Sequence, residues 1–132
     1  MPLFLLTAGS GWLAALLLGV TVCVPYAMRS RCGGLGASLS RFRLHYVLGL
    51  VVVTVAFLHA WLPMSVGRMR ASDQAGLLLA SVALCILLWQ VALGFSLRAA
   101  RGADLSPRRR LHFWTMALIV GLVATHIVLN RA

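Results

Sequence analysis

The chain has 132 residues, of which 61% are hydrophobic and only 11% charged, and its mean hydropathy is +0.95. A soluble domain of this length needs far more polar surface to cover its core, so the composition excludes a soluble globular protein and points to an integral membrane one. The net charge of +10 would suit nucleic acid, but all twelve basic residues are arginines at the borders of apolar segments, against two acids, Asp73 and Asp104, so they read as topology signals and contacts to membrane lipid.

Four apolar runs follow in chain order, about 11–28, 43–63, 74–97 and 107–130. Each is near the ~20 residues that carry a helix across ~30 Å of hydrocarbon. They predict an all-α fold, an integral membrane four-helix bundle, as a single transmembrane domain over residues 1–132. The short alternating segments of a membrane β-barrel are not present.

The first run has no basic residues ahead of it, since Met1 to Tyr26 carry no charged side chain, and it reads as a retained helix and not a cleaved signal. The stretch GGLGASLS at 33–40 predicts a flexible first connection. Its GGLG is no dinucleotide loop, because no strand precedes it. Ser72 and Asp73 can cap the third helix, and Ser106 with Pro107 suits the cap and first turn of the fourth. Arg29, Arg31, Arg41, Arg43, Arg98, Arg101, Arg108, Arg109 and Arg110 lie on one side and Arg68, Arg70 and Arg131 on the other. The richer side is cytoplasmic by the positive-inside rule, which puts the N- and C-termini outside.

The chain has four histidines, His45 and His59 in the second run and His112 and His126 in the fourth, and both pairs are fourteen residues apart. Four helical turns take about 14.4 residues, so each pair lies on one helix face, separated by about 21 Å along the axis. The second and fourth helices run in the same direction. His45 and His112 therefore share the cytoplasmic depth, and His59 and His126 the outer depth. Two imidazoles facing each other across a flat cofactor provide both axial ligands of an iron, which predicts two bis-histidine haems. A lone membrane histidine is commonly an interhelical hydrogen-bond partner, and imidazole pairs also suit zinc or copper. Two matched pairs on alternate helices favour the haem reading, since intramembrane ionisable groups are functional by default.

The pattern R-x-R-L-H-x13-H at Arg41 to His59, repeated as R-R-R-L-H-x13-H at Arg108 to His126, resembles the di-haem membrane cytochromes b, of the ferric-reductase-like or small bacterial type. The resemblance covers nearly the whole chain and rests on spacing and topology. It implies two haem b groups, ligated by His45 with His112 and by His59 with His126, in a multi-pass protein of a bacterial-type inner membrane. The chain carries no nucleotide-binding extension and no added helices for a quinone pocket of recognisable kind.

Under that resemblance Arg41, Arg43, Arg109 and Arg110 are candidates for the propionates of the inner haem, because guanidinium forks match carboxylates. Gly19, Gly49, Gly76, Gly94 and Gly121 suit either porphyrin approach or close helix packing. Trp61, Trp89 and Trp114 could line haem edges, and Trp61 also fits an interfacial anchor. Cys23 and Cys85 read as buried apolar residues and Cys32 as a cytoplasmic thiol, since the three form neither CxxCH nor a zinc pattern. No carboxylate pair or nucleophile triad is present. The expected role is a non-catalytic electron-transfer subunit that works with a flavin, iron–sulfur or molybdenum subunit and with quinone or another carrier. A zinc or copper transporter and a cofactor-free membrane anchor are the alternatives.

Overall fold

A computed structural model describes the backbone of residues 2–29, 35–65, 74–99 and 105–130, and the side chains of 5–27, 43–65, 74–99 and 105–130. All-α structure is observed throughout these residues: α1 (Pro2–Arg29), α2 (Leu35–Ser65), α3 (Gln74–Ala99) and α4 (Leu105–Leu129). Each contains an apolar stretch of 23 residues or more, from 23 in α1 and α2 to 26 in α3. At 1.5 Å per residue, 23 residues reach about 35 Å, enough to cross the hydrocarbon. The protein is a multi-pass membrane protein. Helix is the form that such sequences take in lipid because it satisfies each backbone group within its own segment.

The elements extend beyond the predicted runs. Helix α1 begins at Pro2 instead of near residue 11, and α2 at Leu35 instead of near 43. Leu35 to Ser40, expected as flexible connection, thus have helical backbone. Hydropathy registers only the part of a helix that lies in hydrocarbon, whereas helical hydrogen bonding continues into the headgroup layer. Helix α3 starts at Gln74 as predicted; its suggested caps, Ser72 and Asp73, lie outside the described residues. Helix α4 starts at Leu105, so Ser106 and Pro107 fall in its first turn, where the missing proline N–H has no intrahelical duty.

The chain forms two compact units, Met1–Leu62 and Pro63–Ala132. The first pairs α1 with α2, and the second pairs α3 with α4. In the second unit the buried residues of α3 are Gly76, Ala83, Leu87, Gln90 and Leu93, a seam at helical spacing, and Ile119 of α4 is the most deeply buried large side chain. In the first unit Val52 and Thr21 are buried. Large apolar side chains remain exposed on both units, among them Leu16, Leu78 and Val128, each about two-thirds exposed. In water this exposure would drive aggregation, but in a bilayer it meets lipid.

Hydroxyl groups in these helices are satisfied locally. Thr21 donates to Leu17 O at 2.7 Å, Thr54 to Leu50 O at 3.0 Å, Ser81 to Leu77 O at 2.9 Å and Thr125 to Gly121 O at 2.9 Å. Such bonds to the carbonyl four residues back let Ser and Thr reside in hydrocarbon without an orphaned donor.

Candidate functional site: anchored histidines in two helical hairpins

The histidine faces are built on a seven-residue spacing. His45, Val52 and His59 follow one another at that interval in α2, and His112, Ile119 and His126 do so in α4. Seven residues fall about 20° short of two turns, so each trio shares a face. Its middle member is buried in both cases, Val52 at 3% exposure and Ile119 at 2%. The apolar centre of each stripe packs inside its own hairpin and sets the depth of the histidines on either side.

In the first hairpin, the Nδ1–H of His45 donates to the carbonyl oxygen of Thr21 at 3.0 Å, and that of His59 donates to the carbonyl of Thr7 at 3.0 Å. Ser10 Oγ lies 3.2 Å from the same His59 nitrogen while its hydroxyl donates to Thr7 O at 2.9 Å. Thr7 O thus gathers two donors. In the second hairpin, Nδ1–H of His126 donates to the carbonyl of Gly76 at 3.0 Å. Asn130 Nδ2 donates to His126 O at 2.7 Å and lies 3.0 Å from its Nδ1.

The contacts of both hairpins share one register. Thr7 and Thr21 are fourteen residues apart, as are Gly76 and Gln90, matching the histidine spacing with opposite chain direction. Each hairpin is therefore antiparallel, and His112 stands opposite Gln90 as His45 stands opposite Thr21. There the recorded contact differs: Gln90 Nε2 donates to the backbone carbonyl of His112 at 2.8 Å, and Thr115 Oγ1 donates to Gln90 Oε1. Gln90 is buried in the apolar seam, and this network accounts for its amide.

A carbonyl can only accept a hydrogen bond. The nitrogen that faces it carries a proton, so His45, His59 and His126 bear a hydrogen on Nδ1, and in the neutral tautomer of such a ring the lone pair is on Nε2. This is the arrangement of a metal-ligating histidine, whose second nitrogen is held by a backbone carbonyl that fixes the tautomer and raises ligand basicity. Within each hairpin the two histidines are about 21 Å apart and do not meet. No family model, no curated protein and no solved structure matches the chain. Among the described residues no three His, Cys, Asp or Glu side chains are grouped to hold a metal ion, the minimum of protein ligands for a zinc site.

The remaining sequence candidates divide by place. Arg43 is exposed two residues before His45, and Arg109 and Arg110 are exposed in the turn before His112. The side chain of Arg41 lies outside the described residues. Trp61, Trp89 and Trp114 are all more than half exposed, with Trp61 stacked on Phe57 at a centroid distance of 6.3 Å. Cys23 and Cys85, expected to be buried, are free and exposed. A thiol behaves as a small apolar group and needs no protein cover where hydrocarbon is the solvent. Cys32 lies outside the described residues.

Glycines separate into two kinds. A Cβ at Gly19, Gly49 or Gly121 would meet nothing within 4 Å. One at Gly76 would stand 2.8 Å from Asn130 Oδ1, and one at Gly11 would stand 2.8 Å from Cε1 of His59. Gly11, Thr7, Thr21, Gln90 and Asn130 were not singled out from sequence. Only Gln90 carries a signal there, as the one amide in the interior of its helix, Gln74 standing at the first position.

Proposed function

We propose that this protein is a transmembrane electron-transfer subunit that holds two b-type haems, each between two histidines. His45 and His112 form the cytoplasmic couple and His59 and His126 the outer one, as their common depth on parallel helices suggests. The observation that supports this reading is the Nδ1 anchoring. Three imidazoles of the four place Nδ1 at hydrogen-bond distance from a main-chain carbonyl, a contact that in a neutral ring leaves the Nε2 lone pair for coordination. A haem bound through two such nitrogens supplies one-electron exchange between ferrous and ferric iron, with no open coordination position for oxygen or substrate.

The chain's own residues would hold the cofactor and set its surroundings. Arg41, Arg43, Arg109 and Arg110 offer guanidinium groups for carboxylates at the cytoplasmic boundary. The apolar centres Val52 and Ile119 keep the two depths separate. In this reading the protein resides in a bacterial-type inner membrane with both termini outside, and works with a partner redox subunit at one surface and quinone or another carrier at the other.

The test is a dithionite-reduced minus oxidised visible spectrum of the purified chain, with a pyridine haemochrome assay quantified against protein. Two non-covalent b haems per polypeptide are expected. A chain without haem, a covalently attached haem, or a chain that takes up zinc or copper and shows no visible band would overturn the proposal.

A further inference from the structure

Helix α1 contains a proline, Pro25, in its interior. In an α-helix the N–H of residue 25 would bond to the carbonyl of residue 21, but proline has no N–H, and its ring also presses against that carbonyl and turns it away from the helix axis. The carbonyl concerned is Thr21 O, the acceptor of the Nδ1–H of His45 at 3.0 Å. The other two acceptors differ. Thr7 O and Gly76 O lie four residues before Gly11 and Ala80, both of which have a backbone N–H to offer. In the second hairpin the position opposite His112 is Gln90, and four residues after it stands Gly94, not proline. The recorded contact there runs from the Gln90 side chain to the backbone of His112, not from an imidazole to a carbonyl. The proline thus accompanies the carbonyl contact of His45.

We propose that Pro25 is a positioning residue for His45. By withholding an N–H from Thr21 it presents a carbonyl whose acceptor capacity is not shared with the helix, and this carbonyl fixes the His45 tautomer with its lone pair on Nε2. A stronger Nδ1–H bond makes an imidazole a more basic ligand and so favours the ferric over the ferrous state of an iron bound to it. That redox consequence rests on the haem reading above, whereas the assignment of Pro25 to His45 does not.

The experiment uses the full chain as isolated in detergent, labelled with nitrogen-15 at histidine and kept in reducing buffer, where six-coordinate ferrous haem is diamagnetic. Wild type, Pro25→Ala and the control Gly19→Ala are compared, the control because a Cβ there meets nothing within 4 Å. In wild type the Nδ1–H of His45 is expected furthest downfield among the carbonyl-anchored histidines. Pro25→Ala restores the helical N–H to Thr21 O and should move that resonance upfield while leaving His59 and His126 in place.

In a redox titration the same variant should raise the ferrous-to-ferric ratio of one haem by about tenfold at a given poise, without moving the other. Pro25→Val, which restores the same N–H with a different side chain, should reproduce both changes. A His45 resonance that stays in place, or a shift shared equally by His59 and His126, would overturn the assignment. So would failure of both variants to fold, since Pro25 would then be a folding requirement and not a positioning residue. A chain that carries no haem refutes the electron-transfer reading, and the His45 resonance still decides the role of Pro25.

Discussion

A Cβ on Gly11 would stand 2.8 Å from Cε1 of His59 and 3.3 Å from each of its ring nitrogens. The imidazole of α2 lies directly against the backbone of α1, and it cannot turn aside without giving up its bond to Thr7 O. Gly11→Ala should therefore displace His59 at a cost of about 1–3 kcal/mol, the range for overpacking a filled site. The expected result is loss or high-spin conversion of the outer haem with the inner one retained, read by haem content and the visible spectrum. Gly19→Ala, on the same helix with open space around it, should leave both haems bound.

The ligands should separate by depth. His45→Ala or His112→Ala is expected to cost the inner haem and His59→Ala or His126→Ala the outer, because a ligand cannot reach a partner about 21 Å away along the axis. Removing one member leaves the iron a single imidazole, so any haem retained becomes high-spin or five-coordinate. Electron paramagnetic resonance of the four single variants is the check. If His45→Ala and His59→Ala abolish one signal while His112→Ala and His126→Ala abolish the other, the pairing runs along helices and the arrangement proposed is wrong.

Gln90 ties α3 to α4 through the carbonyl of His112 and the hydroxyl of Thr115. Polar contacts between membrane helices average about 0.6 kcal/mol and reach about 1.7. Gln90→Leu should therefore lower the stability of the second hairpin by about 1 kcal/mol and loosen the segment that carries His112. Unfolding in mixed detergent micelles measures the first effect, and the dissociation rate of the inner haem the second. The double variant with Thr115→Val should cost less than the two single changes added together, since both remove the same bond.

Two potentials are expected, not one. If the chain holds two haems as proposed, the inner one would lie on the side of the nine arginines and the outer one on the side of the three. Positive charge favours the more electron-rich ferrous state and raises the inner potential, while the Thr21 carbonyl acting through His45 opposes part of that rise. A redox titration followed at the haem band should resolve two one-electron steps. A single step containing both haems would count against it.

Membrane class, number of spans and the shared face of each histidine pair were legible in the sequence because each rests on local properties. Apolar run length reports hydrocarbon thickness, and fourteen-residue spacing reports a shared helix face whatever the helix packs against. The contacts that define the histidines were not legible. Thr7, Thr21 and Gly76 act through main-chain carbonyls, which every residue possesses, so no letter of the sequence marks them. Which carbonyl meets which imidazole depends on the register of two antiparallel helices, and a shift of one residue would turn each acceptor about 100° away. Gly11 shows the same limit, since it is one of three glycines within residues 9–19 and only the packing of His59 distinguishes it. Pro25 was visible as a proline, but the consequence of its missing N–H emerged only when His45 was found on the carbonyl four residues before it. Local chemistry therefore determined that imidazoles stand at two depths of a membrane, and tertiary register decided which nitrogen each one presents, because the proton follows the acceptor that packing brings to it.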